Sequence, residues 1–538
     1  MNPCKEEILR WENQIGREPE LPLRQKAEKE EKMEKTKTGG RRLTPLMGWA
    51  SWNCFRTHIN ESVIKEQADM LISSGLAEAG YRYLNIDDGF FGGRSPEGEL
   101  LFHRERFPNG MRNLADYAHE RGLKAGIYTD AEDNTCGYYY DNEKEGGFHA
   151  GCYGHEEEDL RKLLVEEDFD FIKVDWCGGL RLDLDEQEQY TKIANIIETI
   201  RRETGKPIVY NVCRWEFPGE WVTEIADSWR TGLDIAPDFE SILYQIDHMK
   251  PLARFCRPGH VNDSDMMQIG NGMSPEEEKT HFAMWCMLST PLMIGGDLTK
   301  LSDETLEILK NRELIGLNQD AACRQAVVAR EYRDREGRLL AEMWVKELAP
   351  VSQDTQSGGK RRIRKAVAFL NRSDEGMELG AAFREAGLDG EILSVREVCR
   401  HEDWKISNEI EVSVPSHGVS VFLVESTGAC QYHDCNANLK ADVGKHIKIT
   451  DQEMKKLLEQ GAVLADVRSP GEYGKGHLDG AVNIPYVDIY LKVSEVLPDK
   501  ERPVIVYCAT GKRSSMAKDR LEFMGYQKVY YLGGRNSI

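Results

Sequence analysis

From Leu43 to about Asp320, short apolar runs of strand length alternate with amphipathic stretches of helix length. The strand-like runs are LMGWASW (46–52), YLNIDDGF (83–90), KAGIYTD (124–130), FIKVDWC (171–177), PIVYNVC (207–213), SWRTGLD (228–234), HVNDSDM (260–266) and PLMIGGD (291–297). Stretches such as ESVIKEQADMLISSGL and NLADYAHERGL fall between them. Strands alternating with helices predict a parallel sheet, and eight of them predict a closed (β/α)8 barrel. An open doubly wound sheet is the alternative, but no G-x-G-x-x-G turn follows the first strand.

The pattern then changes. AVVAREYR, LLAEMWVKEL, RKAVAFLNRS, ILSVREVC, EIEVSVPS and VSVFLVES are short alternating runs joined by Gly, Ser and Asp turns, which predicts an antiparallel β-sandwich. Residues 445–538 return to a small α/β pattern, with helices over ITDQEMKKLLEQG and SSMAKDRLEFMGY and strands over AVLADVRS, PVIVYCA and VYYL. The expected division is a charged arm (1–42), a barrel (43–322), a sandwich (323–427), a linker (428–444) and the α/β unit (445–538). Cys430, His433 and Cys435 in the linker lack a fourth ligand, so passive linker residues are the better reading than a metal site.

Composition narrows the function. The 70 Lys+Arg against 92 Asp+Glu leave a net charge of −22, which repels polyanions and disfavours nucleic acid as a partner. No run approaches the roughly 20 apolar residues of a membrane helix. The N-terminal stretch has no signal-peptide apolar segment, and the thirteen cysteines are odd in number and scattered. A cytoplasmic location is therefore expected.

The strand runs end in acids: Asp87 and Asp88, Asp130, Asp175, Asp234, and Asp263 with Asp265. Strand C-termini form the active face of such a barrel. Clustered carboxylates are costly unless paired or hydrogen-bonded. Lys173 and Arg230, two and four residues before an acid, point to the same strand faces as those acids. Acids, cations and aromatics (Trp49, Trp52, Tyr128, Trp176) at one mouth suit a sugar, since carboxylates bind hydroxyls and rings stack on its apolar face. A divalent cation is the rival ligand, but His is sparse at these ends and cations interleave with the acids. No metal or organic cofactor is expected.

MGWASWN, YLNIDDGF, RFPNGMRNLADYAHERGLKAGIYTD, FIKVDWC, SWRTGLDI, VNDSDMMQIGN, PLMIGGDL with LNQD, and VPSHGVSVFLV closely resemble glycoside hydrolase family 27, the α-galactosidase and α-N-acetylgalactosaminidase family, over about residues 43–425. The resemblance implies a retaining double displacement. Asp175 matches the nucleophile and Asp234 the acid/base, which must be protonated when substrate binds. Asp227, a rival for the second role, precedes its strand at the inactive face. Asp87 and Asp88 match the acids for the 4- and 6-hydroxyls, and Lys173 a contact on the 3- and 4-hydroxyl side. Trp49 and Tyr128 line the pocket, and Arg230 and Asp265 hold the 2-hydroxyl side and order the acid/base. Cys136 and Cys177 match a family pair at the pocket rim, either bonded or as two thiols. Where the family reads the 2-position, this chain has Cys213-Arg214-Trp215-Glu216-Phe217, and the bulk of Arg214 and Phe217 favours a 2-hydroxyl over a 2-acetamido substrate. Small α-galactosides are the implied substrates, with α-N-acetylgalactosaminidase and β-L-arabinopyranosidase as rivals.

VYCATGKRSS places Cys508 between a strand and a helix, where loop N–H groups, Arg513 and the helix N-terminus would stabilise a thiolate or persulfide. With DVRSPGEYGKGHLDGAVNIP, this resembles a single-domain rhodanese, in which Cys508 accepts sulfane sulfur and Asp466 and Arg468 belong to the signature. The usual tryptophan after Gly-Gly is missing. A sulfane-sulfur donor and a homo-oligomer are admitted as partners. A reading from another class makes the chain a sulfurtransferase with a sugar-binding barrel, but a binding module needs neither Asp175 nor Asp234.

Overall fold

The computed structural model describes residues 43–535 apart from 180, 181, 183, 351–361, 436–447, 487, 488 and 510. The charged arm and much of the expected linker lie outside the described residues. The first body is built on eight parallel strands: β1 (Met47–Ala50), β2 (Tyr83–Asn85), β3 (Lys124–Asp130), β4 (Phe171–Asp175), β5 (Val209–Val212), β6 (Ser228–Arg230), β7 (Val261–Asp263) and β8 (Leu292–Ile294). Their order is β8-β1-β2-β3-β4-β5-β6-β7, and a parallel bridge between Met267 and Ile294 joins the two ends. The result is a (β/α)8 barrel.

The observed strands are shorter than the apolar runs at nearly every C-terminal end. Asp87, Asp88, Asp234 and Asp265 therefore sit in the loops beyond β2, β6 and β7, not in the strands. Loop placement lets their carboxylates accept backbone N–H bonds that a ladder would consume. In β3 and β4 the register sets Tyr128 opposite Lys173 and Asp130 opposite Asp175.

Helix Glu186–Thr204 shows how the outer ring forms. Asp185 caps it by accepting from the Glu188 N–H at 2.8 Å, and Gly205, at φ 68°, ends it. Tyr190, Ile193, Ile197 and Ile200 recur at helical spacing and are fully buried on the sheet. Each such isoleucine contributes roughly 1.5–3 kcal/mol by leaving water. Helix Pro275–Leu288 is apolar all round from Phe282 to Leu288, because it is covered by the barrel and the sandwich together.

The sandwich has a six-stranded antiparallel sheet, formed by Val327–Arg333, Leu339–Glu347, Ile363–Asn371, Val419–Ser426, Ile392–Glu397 and Glu402–Asp403 in that order. Met377–Ala382 pairs with Glu409–Val414 as the second layer. The buried carboxylate of Glu342 meets Lys250 and Arg372, which ties this body to the barrel. Arg372 also pairs with Asp247 at 2.7 Å.

The C-terminal body is a four-stranded parallel sheet in the order Val482–Asn483, Val463–Asp466, Val504–Cys508, Val529–Gly534. Its helix Lys512–Phe523 faces the barrel, where Met516 Sδ lies 3.4 Å from Arg214 Nη2.

Candidate active site

A cavity of about 300 Å³ opens at the C-terminal ends of the barrel strands, and both Asp175 and Asp234 line it. Asp175 ends β4 and is buried; its Oδ1 accepts from the Trp176 N–H at 3.1 Å and its Oδ2 lies 3.6 Å from Lys173 Nζ. Burial pushes the Asp175 carboxyl up to about 6; Lys173 opposes this, while Asp234 and Asp87 add to it. Lys173 also donates to Asp87 Oδ2 at 2.9 Å. Burial disfavours the ammonium, but the carboxylates of Asp87 and Asp175 outweigh it and hold Lys173 charged.

Asp234 lies in the loop after β6, with its side chain 61% exposed. Arg230 organises that loop, donating to the carbonyls of Gly232 and Leu233 at 3.1 and 3.0 Å and to Asp234 Oδ1 at 3.2 Å. The same Nη2 of Arg230 meets Asp265 Oδ2 at 2.7 Å. Asp265 in turn accepts from the N–H groups of Ile235 and Met266 at 2.9 and 2.7 Å. Burial pushes the Asp265 carboxyl up to about 6, against the pull of Arg230. Asp265 and Trp215 both adopt left-handed backbone, at φ 80° and 59°, strain of a kind that clusters at working sites.

Not every expected residue faces this cavity. Asp87 and Lys173 line both it and a smaller void deeper in the barrel, where Tyr128, Arg230 and Asp265 are found. Trp49 is fully buried, donating from its indole to the Gly296 carbonyl at 2.8 Å, and Trp52 lines the cavity instead. Asp88 is also fully buried and accepts from the Gly137 N–H at 2.6 Å. A Cβ on Gly137 would lie 2.9 Å from Asp88 Oδ2, so the close approach requires glycine. Burial raises the Asp88 carboxyl to about 7, against bonds from Thr135, Gly137 and Gly89.

Arg214 is fully buried and turned to Glu186, at 2.9 Å, and Glu216. Phe217 stacks on Phe255. The bulk on this part of the cavity wall is Trp215, with Leu233. Sequence reasoning also left out Arg56, Tyr140 and Arg520 as lining residues. Trp215 carried a signal in the Cys-Arg-Trp stretch; Arg520, in the last domain, carried none. Asp227 sits at the opposite end of the barrel, paired with Arg201 and accepting from the Tyr210 N–H at 2.8 Å.

Cys136 and Cys177 are joined as a disulfide at the rim, their Cα atoms 5.2 Å apart. Asp130, Cys136, Asp175 and Cys177 lie close enough to share an ion, but bonded sulfurs are not thiolates and cannot serve as metal ligands. Among the described residues, Cys430, His433 and Cys435 do not converge on one point.

In the C-terminal body, Cys508 ends its strand fully buried. Its Sγ accepts from the N–H groups of Gly511 and Ser514 at 3.1 and 3.4 Å and from Ser514 Oγ at 3.5 Å. Gly511, at φ 101°, aims its N–H inward. Arg513 forms a two-pronged pair with Glu472, both contacts 2.7 Å, which brings the Glu472 carboxyl down to about 2. Arg468 clasps Asp466 at 2.6 Å beneath the loop.

Residues 44–320 match the family model described as alpha galactosidase A. The chain belongs to the α-galactosidase A family. Residues 341–424 match the C-terminal β-sandwich domain of α-galactosidase, and residues 450–537 a rhodanese-like domain. Alpha-galactosidase A of Cellvibrio japonicus is 33% identical over 402 residues, covering 70% of this chain and 91% of that protein. Alpha-galactosidase of Oryza sativa subsp. japonica is 35% identical over 386 residues, covering 71% and 84%. The crystal structure of α-galactosidase I from Mortierella vinacea superposes with a TM-score of 0.62 at 26% identity, covering 73% of this chain and all of that one. As a member of the α-galactosidase A family, the protein is a glycoside hydrolase, and it carries a rhodanese-like domain.

Proposed function

We propose that the barrel is a retaining exo-α-galactosidase acting on small α-galactosides. The observation that carries this reading is one cavity lined by a buried carboxylate beside a lysine, Asp175, and an open carboxylate on an arginine-ordered loop, Asp234. The ionised Asp175 attacks the anomeric carbon while the protonated Asp234 gives its proton to the departing oxygen. The glycosidic bond breaks and a galactosyl ester of Asp175 forms. Asp234, now ionised, takes a proton from water as that water attacks the same carbon, which frees galactose and restores both groups. Arg230 and Asp265 are positioning residues for Asp234, and Lys173 keeps Asp175 charged in a buried setting.

Asp87 and Lys173 at the inner end are the hydroxyl-binding pair of this reading. Trp215 in the wall supports a 2-hydroxyl over a 2-acetamido group. The cavity volume, at the small end for ligand sites, supports short substrates over polymers. Ten of the twelve described cysteines are free thiols, which supports a reducing, cytoplasmic setting with Cys136–Cys177 as the one bonded pair among the described residues. A panel of nitrophenyl glycosides (α-galactoside, α-N-acetylgalactosaminide, β-L-arabinopyranoside, α-glucoside) on purified protein tests the substrate. The α-galactoside is expected to be turned over fastest; preference for another sugar would overturn the assignment.

The C-terminal domain supports a separate reading, sulfur transfer at Cys508, on the strength of three donors around its Sγ. The thiolate would attack the outer sulfur of thiosulfate, breaking its S–S bond, releasing sulfite and leaving a persulfide for a thiol acceptor. Cys508→Ser is expected to abolish sulfite release from thiosulfate; unchanged release would remove this role.

A further inference from the structure

One residue lining the cavity around Asp175 and Asp234 does not come from the barrel. Arg520 belongs to helix Lys512–Phe523 of the rhodanese-like domain, yet it lines the cavity beside Trp215, Leu233 and Asp234. It is 2% exposed. Its guanidinium carbon lies 4.0 Å from the ring centroid of Tyr486 and 5.1 Å from that of Trp215, and Nη1 donates to the Tyr486 carbonyl at 3.4 Å. Met516, on the same helix, reaches Arg214. A planar cation held against two rings at a buried junction has a fixed orientation, unlike a long side chain at a free surface.

The cavity also has a direction. Asp87 and Lys173 are shared with the void inside the barrel and mark its inner end. The half-exposed Asp234 marks the outer end, where a leaving group is protonated and departs. The aglycone must then lie toward the outer part of the cavity, whose lining joins Trp52, Arg56, Tyr140, Trp215 and Leu233 from the barrel with Arg520 from the appended domain. Arginine offers only donors. It rewards an aglycone rich in acceptor oxygens over a small alkyl one that has neither acceptors nor a ring to stack on.

Resting on the galactosidase reading above, we infer that the rhodanese-like domain completes the aglycone subsite of the barrel, and that Arg520 selects α-galactosides whose aglycone is a sugar unit. The appended domain is then part of the glycosidase site, whatever its own chemistry.

The test uses full-length protein carrying Arg520→Ala, Arg520→Lys or Arg520→Gln. Melibiose and methyl α-galactoside serve as substrates, and free galactose, which fills only the inner end, as competitive inhibitor. In Arg520→Ala the ratio of kcat/KM for melibiose to that for methyl α-galactoside is expected to fall roughly tenfold, the effect of one charge-assisted hydrogen bond. Arg520→Lys is expected to recover part of the ratio, and the galactose inhibition constant to stay within twofold. An unchanged ratio overturns the inference. So does a loss in which both substrates and galactose weaken together, because that is damage to the whole pocket. If Arg520→Ala does not fold, judged by its melting curve, Arg520→Gln decides by the same ratio. Wild-type protein inactive on nitrophenyl α-galactoside would instead overturn the galactosidase reading, so the two failures are told apart.

Discussion

The two centres proposed for this chain surround a buried nucleophilic side chain in different ways. At the barrel mouth, Asp175 is countered by a full charge, Lys173, which is shared with Asp87. In the rhodanese-like domain, no cation touches Cys508 among the described residues; two backbone N–H groups and a hydroxyl surround its Sγ, and the nearby Arg513 is occupied with Glu472. A lysine can be removed by one substitution, whereas backbone dipoles can be removed only by moving the chain. The first site is therefore sensitive to side-chain charge and pH, and the second to loop conformation.

The largest expected effect breaks one centre and spares the other. Asp175→Asn should lower kcat on nitrophenyl α-galactoside by at least about a thousandfold, equal to about 4 kcal/mol of barrier, with thiosulfate turnover unchanged. Assaying both activities on the same preparation checks this. Lys173→Met should cost roughly a hundredfold in kcat/KM. It should also move the acid limb of the pH profile, because Lys173 is what opposes the effect of burial on Asp175. Without the lysine the carboxyl protonates at higher pH, so activity is lost earlier as pH falls.

Gly511→Ala probes the other kind of support. Its φ of 101° and a Cβ that would lie 2.6 Å from the Tyr531 hydroxyl force the loop to shift. Sulfite release from thiosulfate should slow roughly tenfold while galactoside hydrolysis is unaffected. The smallest expected effect is in the wild type. Asp175 must be ionised to attack, and its carboxyl is raised to about 6, so kcat/KM should fall to half near pH 6 on the acid side. A limb near pH 4 would remove burial as the dominant influence on this group.

The same contrast explains what the sequence made legible. Strand periodicity and polar run ends located all eight barrel strands and brought Asp87, Lys173, Asp175 and Asp234 to one mouth. Direction within a loop was not legible. Of the adjacent pair Asp87 and Asp88, one faces the cavity and the other turns into the Gly137 backbone, a choice set by a neighbouring loop about fifty residues away. Trp49 and Arg214 look like lining residues by motif, but packing spends them on Gly296 and Glu186. Arg520 was hidden for a third reason: docking of one domain on another leaves no period or motif in either, so its place at the barrel mouth emerges only in three dimensions.

The central claim is that Asp175 and Asp234 work as nucleophile and acid/base on one α-galactoside. It is tested most directly by proton NMR of the galactose first released from nitrophenyl α-galactoside, read before mutarotation sets in. The α-anomer appearing first, with the β-anomer growing only at the rate of mutarotation, is the expected result for two displacements at the same carbon. The β-anomer appearing first would mean a single displacement by water, and would contradict the role given to Asp175.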